Sequence, residues 1–442
     1  MTALGIGLLL IGVLVVLVLL GVHIAVALLG VGFVGVWIIR DNFELAMRLL
    51  SISANSGIAD YLFATIPLFV LMGLLVSISN IGKDTFEVAE ALLRRVVGGL
   101  GVATVAANTV FAAVTGVSIA SAAVFTRIAV PEMARHGYRS AFAAGTVAGS
   151  SVLGMMIPPS ILLIIYGVLA EVSIGGMFIA GVMPGLMLAL GFVVIIMMLA
   201  LLHPSFVFQN VELARRQRLD APRRVLSWGE IFAKLVPIVI LVILVLGGLY
   251  TGFFTPTEAG GVGAFGALCI AVAKRRLDRA KMWQVLRQTG EVSVSILILL
   301  IAAGFYSRML STAGIPVAIG SLVRDSGLGP YGFLFLYAGI VLLMGMILDS
   351  TSILLIMVPI AAPIAQSMGF NLIHFGIVTV IAVEIGLLTP PFGISVFTVH
   401  TSLGDRQTSV ESIFLGTLPF ILVMVATLVA VAFFPFLALG LL

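Results

Sequence analysis

Charged residues and cysteine are both scarce in this sequence of 442 residues. Only 10% of the residues are charged and 61% are hydrophobic, whereas about a quarter of a soluble domain is charged, so an ordinary soluble protein is excluded. The single cysteine, Cys269, rules out an intrachain disulfide, and its apolar surroundings predict that it packs in the interior.

Two motifs of catalytic chemistry are also missing. The sequence contains no His-Glu-x-x-His zinc motif and no phosphate-binding Gly-x-x-x-x-Gly-Lys-Ser/Thr loop. These absences argue against a membrane enzyme and against an ATPase domain, so energy must come from a gradient or a partner. We expect no organic cofactor and no catalytic residue.

Long apolar runs fill most of the sequence, and its mean hydropathy is +1.26. Residues 2–39 are apolar for almost twice the ~20 residues that one spanning helix needs, and Gly21 and His23 predict a turn between two spans. The start lacks the basic residues of a cleaved signal peptide, so we do not predict one. The chain is therefore predicted to cross a membrane several times.

Basic residues gather in loops and predict the orientation. Residues 203–234 hold Arg215, Arg216, Arg218, Arg223, Arg224 and Lys234, and a second basic segment reads KRRLDRAKMWQVLR. Short loops rich in Lys and Arg stay cytoplasmic, so both basic segments are predicted to be cytoplasmic. Two spans, residues 231–250 and 258–273, fit between them. The formal charge of +4 follows from this placement, so no nucleic-acid partner is expected.

A further pair of basic clusters, residues 83–95 and 127–139, also predicts cytoplasmic loops. About 30 apolar residues separate the clusters, which is too few for two full spans. A hairpin that enters the membrane and turns back part-way fits better. The stretch AANTVFAAVTGVSIASAAVF has the Gly, Ser and Thr content expected of its tip.

Two Pro-Pro pairs interrupt apolar segments, in GMMIPPSILL and GLLTPPFGIS. Proline lacks a backbone donor and clashes with the preceding turn, so each pair breaks a helix, or at the least kinks it. The offset that superimposes the pairs, 390 − 158 = 232, also places Pro131 on Pro363 and Ser118 on Ser350. Each half of the chain therefore carries one unit, a hairpin with a polar tip followed by a broken helix.

Two homologous units of opposite topology are typical of a secondary transporter, whose site lies near the bilayer midplane. The predicted fold is an all-α polytopic membrane protein with an inverted repeat, two re-entrant helical hairpins and two broken (Pro-Pro) helices. We divide the chain into N-terminal scaffold spans and interfacial helices (1–97), a first repeat of the transport unit (98–176), connecting scaffold spans with basic loops (177–329), a second repeat (330–408) and a C-terminal span (409–442).

Three segments carry a family resemblance: NTVFAAVTGVSIASAAVFTRIAVPEMARHGYRSAFAAGTVAGSSVLGMMIPPS, ILDSTSILLIMVPIAAPIAQSMGF and EIGLLTPPFGISVFTVH. They resemble the large membrane subunit (M subunit, DctM-like) of the tripartite ATP-independent periplasmic (TRAP) transporters, over nearly the whole chain. The resemblance implies an elevator-type, Na⁺-coupled carrier of the bacterial inner membrane. It would import an organic anion, such as a C4-dicarboxylate, sialic acid or a similar carboxylate.

The resemblance also implies two protein partners. A periplasmic substrate-binding protein would deliver the anion, and a small membrane subunit (Q-type) would stand beside this chain. The sequence begins directly at the first spans of the large subunit, so we expect the small subunit to be a separate chain. Residues 41–63 are amphipathic and short of a span, which predicts an interfacial helix or an arm that braces the small subunit.

Sodium candidates lie at the two tips and the two breaks. Asp349 with neighbouring hydroxyls forms a hard-oxygen set, although Asp and Ser there would also cap the second arm. The first tip has Val117 and Ser118 at the positions that match Asp349 and Ser350, so hydroxyl and backbone oxygens would bind Na⁺ there. The alternative is that small residues at helix contacts are ordinary membrane packing. The sodium-binding candidates are Asn108, Thr115, Ser118, Ser121, Gly149, Ser150, Ser151, Pro158, Asp349, Ser350, Thr351, Gly386, Thr389 and Pro390.

Substrate candidates are the ionisable groups in apolar segments and the glycines that allow close backbone approach. A guanidinium suits a carboxylate, although an arginine near the membrane surface can also extend to the interface. Glu384 faces the cavity or pairs with a basic residue on a neighbouring helix. The substrate-binding candidates are Arg127, Gly154, Arg308, Glu384 and Gly393.

Two alternatives to the three-part carrier stay open. One is a Na⁺-coupled dicarboxylate carrier that works without a binding protein. The other is an ion channel, because re-entrant hairpins with polar tips also build selectivity filters. Saturable, concentrative uptake would distinguish a carrier from a channel.

Overall fold

The computed structural model describes residues 2–59, 61–93, 95–212, 226–404 and 408–442, which are helical apart from their turns and short connections. Across these ranges the one extended pairing is an isolated β-bridge between Tyr138 and Phe208. Seven of the helices are long and apolar enough to cross a membrane, or eight if the bent pair Ser140–Met156 and Ile161–Leu169 forms one span. The predicted all-α polytopic architecture is confirmed.

The N-terminal part begins with a helical pair. The Thr2 hydroxyl accepts a hydrogen bond from the Gly5 amide, and Gly21 adopts a positive φ of 82° in the predicted turn. The helix predicted in residues 41–63 is present, mostly exposed, and packs against the second helix of the pair. The helices here are α1 (Ala3–Leu19), α2 (Ile24–Arg40), α3 (Phe43–Ala59), α4 (Thr65–Ile78) and α5 (Ile81–Leu93).

A helical hairpin and a broken helix follow, in the order predicted from the sequence of the first repeat. The hairpin turns at Gly116, whose φ of 64° is in the left-handed region that glycine favours. The broken helix bends by 44° around a cis peptide bond between Pro158 and Pro159. Its elements are α6 (Gly99–Thr115), α7 (Ser118–Arg135), α8 (Ser140–Ser151), α9 (Leu153–Met156) and α10 (Ile161–Leu169).

The middle of the chain supplies the connecting helices. Reciprocal hydrogen bonds between Ser227 and Glu230, and between Thr255 and Glu258, begin two of them with a capping box. The elements are α11 (Ile174–Leu202), α12 (Pro204–Val207), α13 (Trp228–Val242), a π-helical turn (Ile243–Gly247), α14 (Gly248–Tyr250), α15 (Pro256–Ala273), α16 (Arg279–Ala313) and α17 (Ile315–Asp325).

The second repeat reproduces the order of elements of the first, except that one continuous helix, Leu372–Leu388, stands where the first has α8 and α9. The bounds of α7, moved by the offset of 350 − 118 = 232, become residues 350–367, which are the bounds of α19. A second cis bond joins Pro390 and Pro391 at the break. Its elements are α18 (Pro330–Gly345), α19 (Ser350–Ser367), α20 (Leu372–Leu388) and α21 (Ile394–Leu403), and the C-terminal helices α22 (Val410–Phe433) and α23 (Phe436–Leu439) follow it.

Small residues allow the early helices to approach closely, as is common in membranes. A Cβ atom at Gly35 would lie 2.6 Å from Met309 Cγ, where α2 crosses α16. The hydroxyls of Thr65 and Thr257 lie 2.6 Å apart between α4 and α15. Two ion pairs, Glu87–Lys234 and Asp84–Lys274, fix α5 to α13 and α15.

Two expectations about this region need correction. Cys269 is exposed on α15 rather than packed inside, because it points away from the side of α15 that meets α4. The basic segment KRRLDRAKMWQVLR is a loop only in its first half, since α16 begins at Arg279 with Asp278 as its cap. The five predicted cytoplasmic arginines within residues 213–225 lie outside the described residues.

Candidate functional site

Both hairpin turns and both helix breaks meet in one place, which we call the tip cluster. In the first half, the Ile161 amide donates to the Gly116 carbonyl at 3.4 Å. A Cβ atom at Gly154 would lie only 3.1 Å from the Val117 carbonyl carbon, so the absence of a side chain at Gly154 eases this close approach. The tip cluster comprises residues 116–118, 154–160, 346–350 and 389–393.

The second half closes on itself in a similar way and then contacts the first half. The Phe392 amide donates to the Met346 carbonyl at 3.3 Å. A Cβ atom at Gly386 would lie 2.6 Å from Gly345 Cα, so α20 and α18 cross backbone to backbone. The Ser350 hydroxyl lies 3.7 Å from Met155 Sδ and joins the second tip to the first break.

A buried polar network supports the first hairpin. The Ser121 hydroxyl donates to Asn108 Oδ1 at 2.5 Å, and Asn108 Nδ2 donates to the Ser150 hydroxyl at 2.6 Å. Three predicted sodium candidates from α6, α7 and α8 are thus brought together. The Thr115 and Ser151 hydroxyls instead donate to carbonyls of their own helices, at 2.9 and 2.8 Å.

Asp349 begins α19. Its carboxylate accepts hydrogen bonds from the Ser352 amide and from the Ser352 hydroxyl. The predicted capping role is therefore confirmed, and the carboxylate is also exposed at the tip beside Ser350 and Thr351. The Thr389 hydroxyl donates to the Ile385 carbonyl at 2.6 Å, and Thr389 itself ends α20 at the break.

The candidate glycines have different neighbours. Gly154 and Gly386 lie against the hairpins, as described above. Gly393 begins α21 with a φ of 46°, and a Cβ atom there would lie 2.5 Å from the Phe414 ring. Gly149 packs against Phe420 of α22, where a Cβ atom would lie 2.5 Å from the ring, so its contact is outside the tip cluster.

The two breaks differ in their surroundings. Pro158 and Pro159 are buried, whereas Pro390 and Pro391 are exposed. The reason is packing, because α10 lies against α4 and α16 and α21 has no such cover. A groove of about 500 Å³ runs along the uncovered side of α21, lined by Phe392, Ile394, Phe397, Thr398, Thr401 and Ser402.

The two arginine candidates lie outside the tip cluster. Arg127 and Arg308 are exposed, and neither guanidinium has a hydrogen bond or ion pair within the described ranges. Glu384 is buried on α20, and both its carboxylate oxygens lack a hydrogen-bond partner. Helical spacing puts Glu384 on the side of α20 opposite Gly386, which meets the second hairpin.

Sequence reasoning missed two residues of the cluster and one beside it. Ser160 caps α10 by accepting from the Leu163 amide, and its position between Pro-Pro and an apolar run is a recognisable start signal. Met155 gives no such signal, because its role is a contact between halves. Ser395, in the first turn of α21, is buried and has no hydrogen-bond partner.

Known proteins resemble this chain both in sequence and in fold. The sequence profile of "Tripartite ATP-independent periplasmic transporter, DctM component" matches residues 11–437. The C4-dicarboxylate TRAP transporter large permease protein DctM of Pseudomonas aeruginosa is 33% identical over 397 residues, covering 90% of each chain. The sialic acid TRAP transporter large permease protein SiaM of Vibrio cholerae is 28% identical, covering 86% of each.

A solved structure shares the fold at lower sequence similarity. The antimetabolite efflux pump MtrF of Neisseria gonorrhoeae superimposes with a TM-score of 0.57 and 14% identity, covering 87% of this chain and 83% of that one. At this identity the likeness concerns the fold alone.

Proposed function

Because this chain belongs to the family of DctM components of tripartite ATP-independent periplasmic transporters, we propose that it is the membrane carrier of a Na⁺-coupled system that imports an organic anion. Its relatives are transporter permeases rather than enzymes. The names of those relatives support a carboxylate substrate, either a C4-dicarboxylate or a sugar acid such as sialic acid. We place the carrier in the bacterial inner membrane.

The observation that carries the proposal is the tip cluster. Two helical hairpins and two broken helices from distant parts of the chain converge there and bring oxygen atoms together inside an apolar protein. Interrupted backbone is tolerated at membrane depth only where it is buried in protein or lines a cavity. A carrier uses such interruptions because they offer free carbonyls and amides to an ion and a substrate.

The donor set of the tip cluster fits Na⁺. Asp349, the Ser350 and Thr351 hydroxyls and the Thr389 carbonyl provide hard oxygen ligands, and the linked Asn108, Ser121 and Ser150 side chains provide a second set. No group of three or more His, Cys, Asp or Glu side chains exists in the described part of the chain, so a transition metal is not supported. Bound Na⁺ would supply positive charge beside the anionic substrate.

The way the repeats pack supports an elevator movement. The second part of each broken helix packs against the second arm of the opposite hairpin, α10 against α19 and α21 against α7. The Tyr166 hydroxyl of α10 also donates to the Leu372 carbonyl of α20 at 2.7 Å. We propose that these interlocked elements move as one transport unit against a scaffold that includes α2, α4, α15 and α16.

The orientation and the partners complete the proposal. The basic ends of α13, α15 and α16 are cytoplasmic, as the positive-inside rule requires. The first hairpin then enters from the cytoplasm and the second from the periplasm, which gives the inverted topology. We propose a separate small membrane subunit packed against the scaffold and a periplasmic binding protein that delivers the anion.

The test is reconstitution of the chain with its small subunit in liposomes and measurement of radiolabelled organic acid uptake. Each acid is offered with and without a Na⁺ gradient and the periplasmic binding protein. We expect saturable uptake that requires both.

Two other results would each contradict part of the proposal. Uptake that needs Na⁺ alone would remove the binding protein from the mechanism. Leak that is independent of the gradient and does not saturate would indicate a channel.

A further inference from the structure

A recess of about 380 Å³ lies at the end of α7 that is opposite the tip cluster. It is lined by Arg139, from the loop between α7 and α8, and by Leu199, His203, Ser205 and Phe206, from the end of α11 and from α12. Three of the five side chains carry hydrogen-bond donors and none is acidic. These three side chains have no hydrogen bond or ion pair within the described part of the chain. The recess therefore collects unused donors around one guanidinium.

Contacts between distant parts of the chain hold the two walls of the recess together. Tyr138 forms the β-bridge with Phe208, and their rings pack edge to face with centroids 4.7 Å apart. The Phe206 ring packs on the buried Phe142 of α8, with centroids 6.0 Å apart. Because backbone and rings fix both lining segments, the donors need little ordering to bind a ligand.

Both walls belong to segments that the sequence predicts to be cytoplasmic. Arg139 ends the basic cluster 127–139, and the second wall includes the start of the basic segment 203–234. The two segments meet at the end of α11, whose last two leucines are 61% and 67% exposed. Exposed apolar side chains at the end of a spanning helix contact lipid. With the proposed orientation, the recess lies at the cytoplasmic surface of the bilayer, within reach of lipid headgroups.

We propose that this recess binds the phosphate of an anionic glycerophospholipid of the cytoplasmic leaflet. The Arg139 guanidinium, the His203 imidazole and the Ser205 hydroxyl donate to the phosphate oxygens. Leu199 and Phe206 lie against the first part of the acyl chains. The assignment goes beyond the carrier function and takes from it only the orientation in the membrane.

The chemistry of the donors favours a phosphate. A guanidinium presents a planar fork of N–H groups that matches two phosphate oxygens, and an imidazole and a hydroxyl each add a donor. The acidic residue that precedes Arg139 in the sequence, Glu132, is already paired with Arg135 and His136, both at 3.5 Å. It therefore does not compete for the guanidinium of Arg139.

The apolar part of the lining favours a lipid over free phosphate as the source of that group. An inorganic ion gains nothing from Leu199 and Phe206, whereas an acyl chain buries apolar surface against them. Anionic lipids also give the cytoplasmic leaflet a negative potential, and basic pockets between spanning helices on that side bind their headgroups.

The experiment measures lipid binding by the full chain purified in a non-ionic detergent. The probes are dioleoylphosphatidylglycerol, dioleoylphosphatidylcholine and inorganic phosphate. Bound lipid is counted by native mass spectrometry, and the unfolding temperature is measured at each concentration. Arg139→Gln and His203→Gln remove one donor group each. Arg139→Gln keeps the backbone hydrogen bond from residue 139 to the Val207 carbonyl, so the fold of the recess is retained.

Arg276→Gln is the matched control. Arg276 is also exposed and also lies in a predicted cytoplasmic segment, and its guanidinium has no partner among the described residues. The control thus removes the same charge from the same side of the membrane without touching the recess.

We expect phosphatidylglycerol to bind and to raise the unfolding temperature, because a ligand of the folded state stabilises it. Arg139→Gln should raise its dissociation constant about 10- to 100-fold, as loss of charge-assisted hydrogen bonds does. His203→Gln should raise it about 3- to 10-fold. Arg139→Lys, which keeps the charge but loses the fork, should restore only part of the affinity. Arg276→Gln should change it less than about twofold.

Three results would overturn the assignment. Equal weakening by Arg139→Gln and Arg276→Gln would indicate general attraction to surface charge. Equal binding of phosphatidylcholine, whose choline cation offsets the phosphate charge, would remove the requirement for an anionic lipid. An equal rise in unfolding temperature with inorganic phosphate would assign the recess to the free ion. None of these measurements depends on uptake, so failure of the proposed carrier function is distinguishable from failure of the lipid site.

Discussion

At the scale of single residues, the site is built from helix-capping side chains and from buried polar groups without a hydrogen-bond partner, rather than from charged pairs. Asp349 serves both a helix start and an exposed oxygen site, and these roles can be separated because Asn is an equally good cap but a weaker cation ligand. Gly345 and Gly386 contribute no chemistry, yet the backbone crossing that they permit holds the second tip beside its broken helix.

Asp349→Asn should raise the half-saturating Na⁺ concentration at least about tenfold, since a carboxylate ligand is replaced by a neutral amide. Stability should fall by less than about 1 kcal/mol, because the cap is kept. The measurements are Na⁺-dependent uptake and thermal unfolding in detergent. Asp278→Asn is the matched control, since Asp278 caps α16 in the same way outside the cluster. Unchanged sodium dependence would show that Asp349 is only a cap.

Gly345→Ala should destabilise the protein by about 1–3 kcal/mol, the range for overpacking. The new Cβ atom would lie 2.8 Å from Gly386 Cα, and neither backbone can move without shifting a whole helix. Gly339→Ala on the same helix is the control, because nothing lies within 4 Å of its added Cβ atom, and it should stabilise by about 0.5–1 kcal/mol. Equal unfolding temperatures for the two variants would contradict the close crossing.

At the scale of helices, the two ion pairs of α5 are its links to α13 and α15. The side chains of Asp84 and Lys274 are each 21% exposed, so their attraction is less screened than that of a surface pair. A double-mutant cycle with Asp84→Asn and Lys274→Gln should give a coupling energy of about 1 kcal/mol in thermal unfolding.

The control cycle uses Arg287 and Glu291 on α16, which are 72% and 58% exposed. Their coupling should be about 0.3–0.5 kcal/mol, the usual value for a surface pair one turn apart. A coupling near zero for Asp84 and Lys274 would mean that this ion pair does not help to hold α5 to α15.

The sequence predicted the order of helices well and their environments poorly. The Pro-Pro pairs and the offset of 232 locate both hairpins and both breaks, because proline acts through local sterics. They do not show that the first break is buried and the second exposed, which depends on where the scaffold lies. The same limit explains Gly149, whose neighbour Phe420 is distant in sequence.

At the scale of the whole molecule, the unequal burial of the breaks gives a direct test of movement. With Cys269→Ser as background, Phe392→Cys should react with a maleimide and Met156→Cys should not, since Phe392 is 55% exposed and Met156 is 1% exposed. If the repeats exchange environments during transport, Na⁺ with substrate should slow the first reaction and speed the second. Rates that never change would contradict an elevator movement.

The short β-bridge between Tyr138 and Phe208 holds two distant parts of the chain together. The Arg139 amide donates to Val207 O at 2.9 Å and the Gln209 amide donates to Gly137 O at 2.8 Å. These bonds fasten the loop between the first hairpin and α8 to the chain just beyond α11. If the transport unit moves as proposed, these bonds require the chain just beyond α11 to move with it.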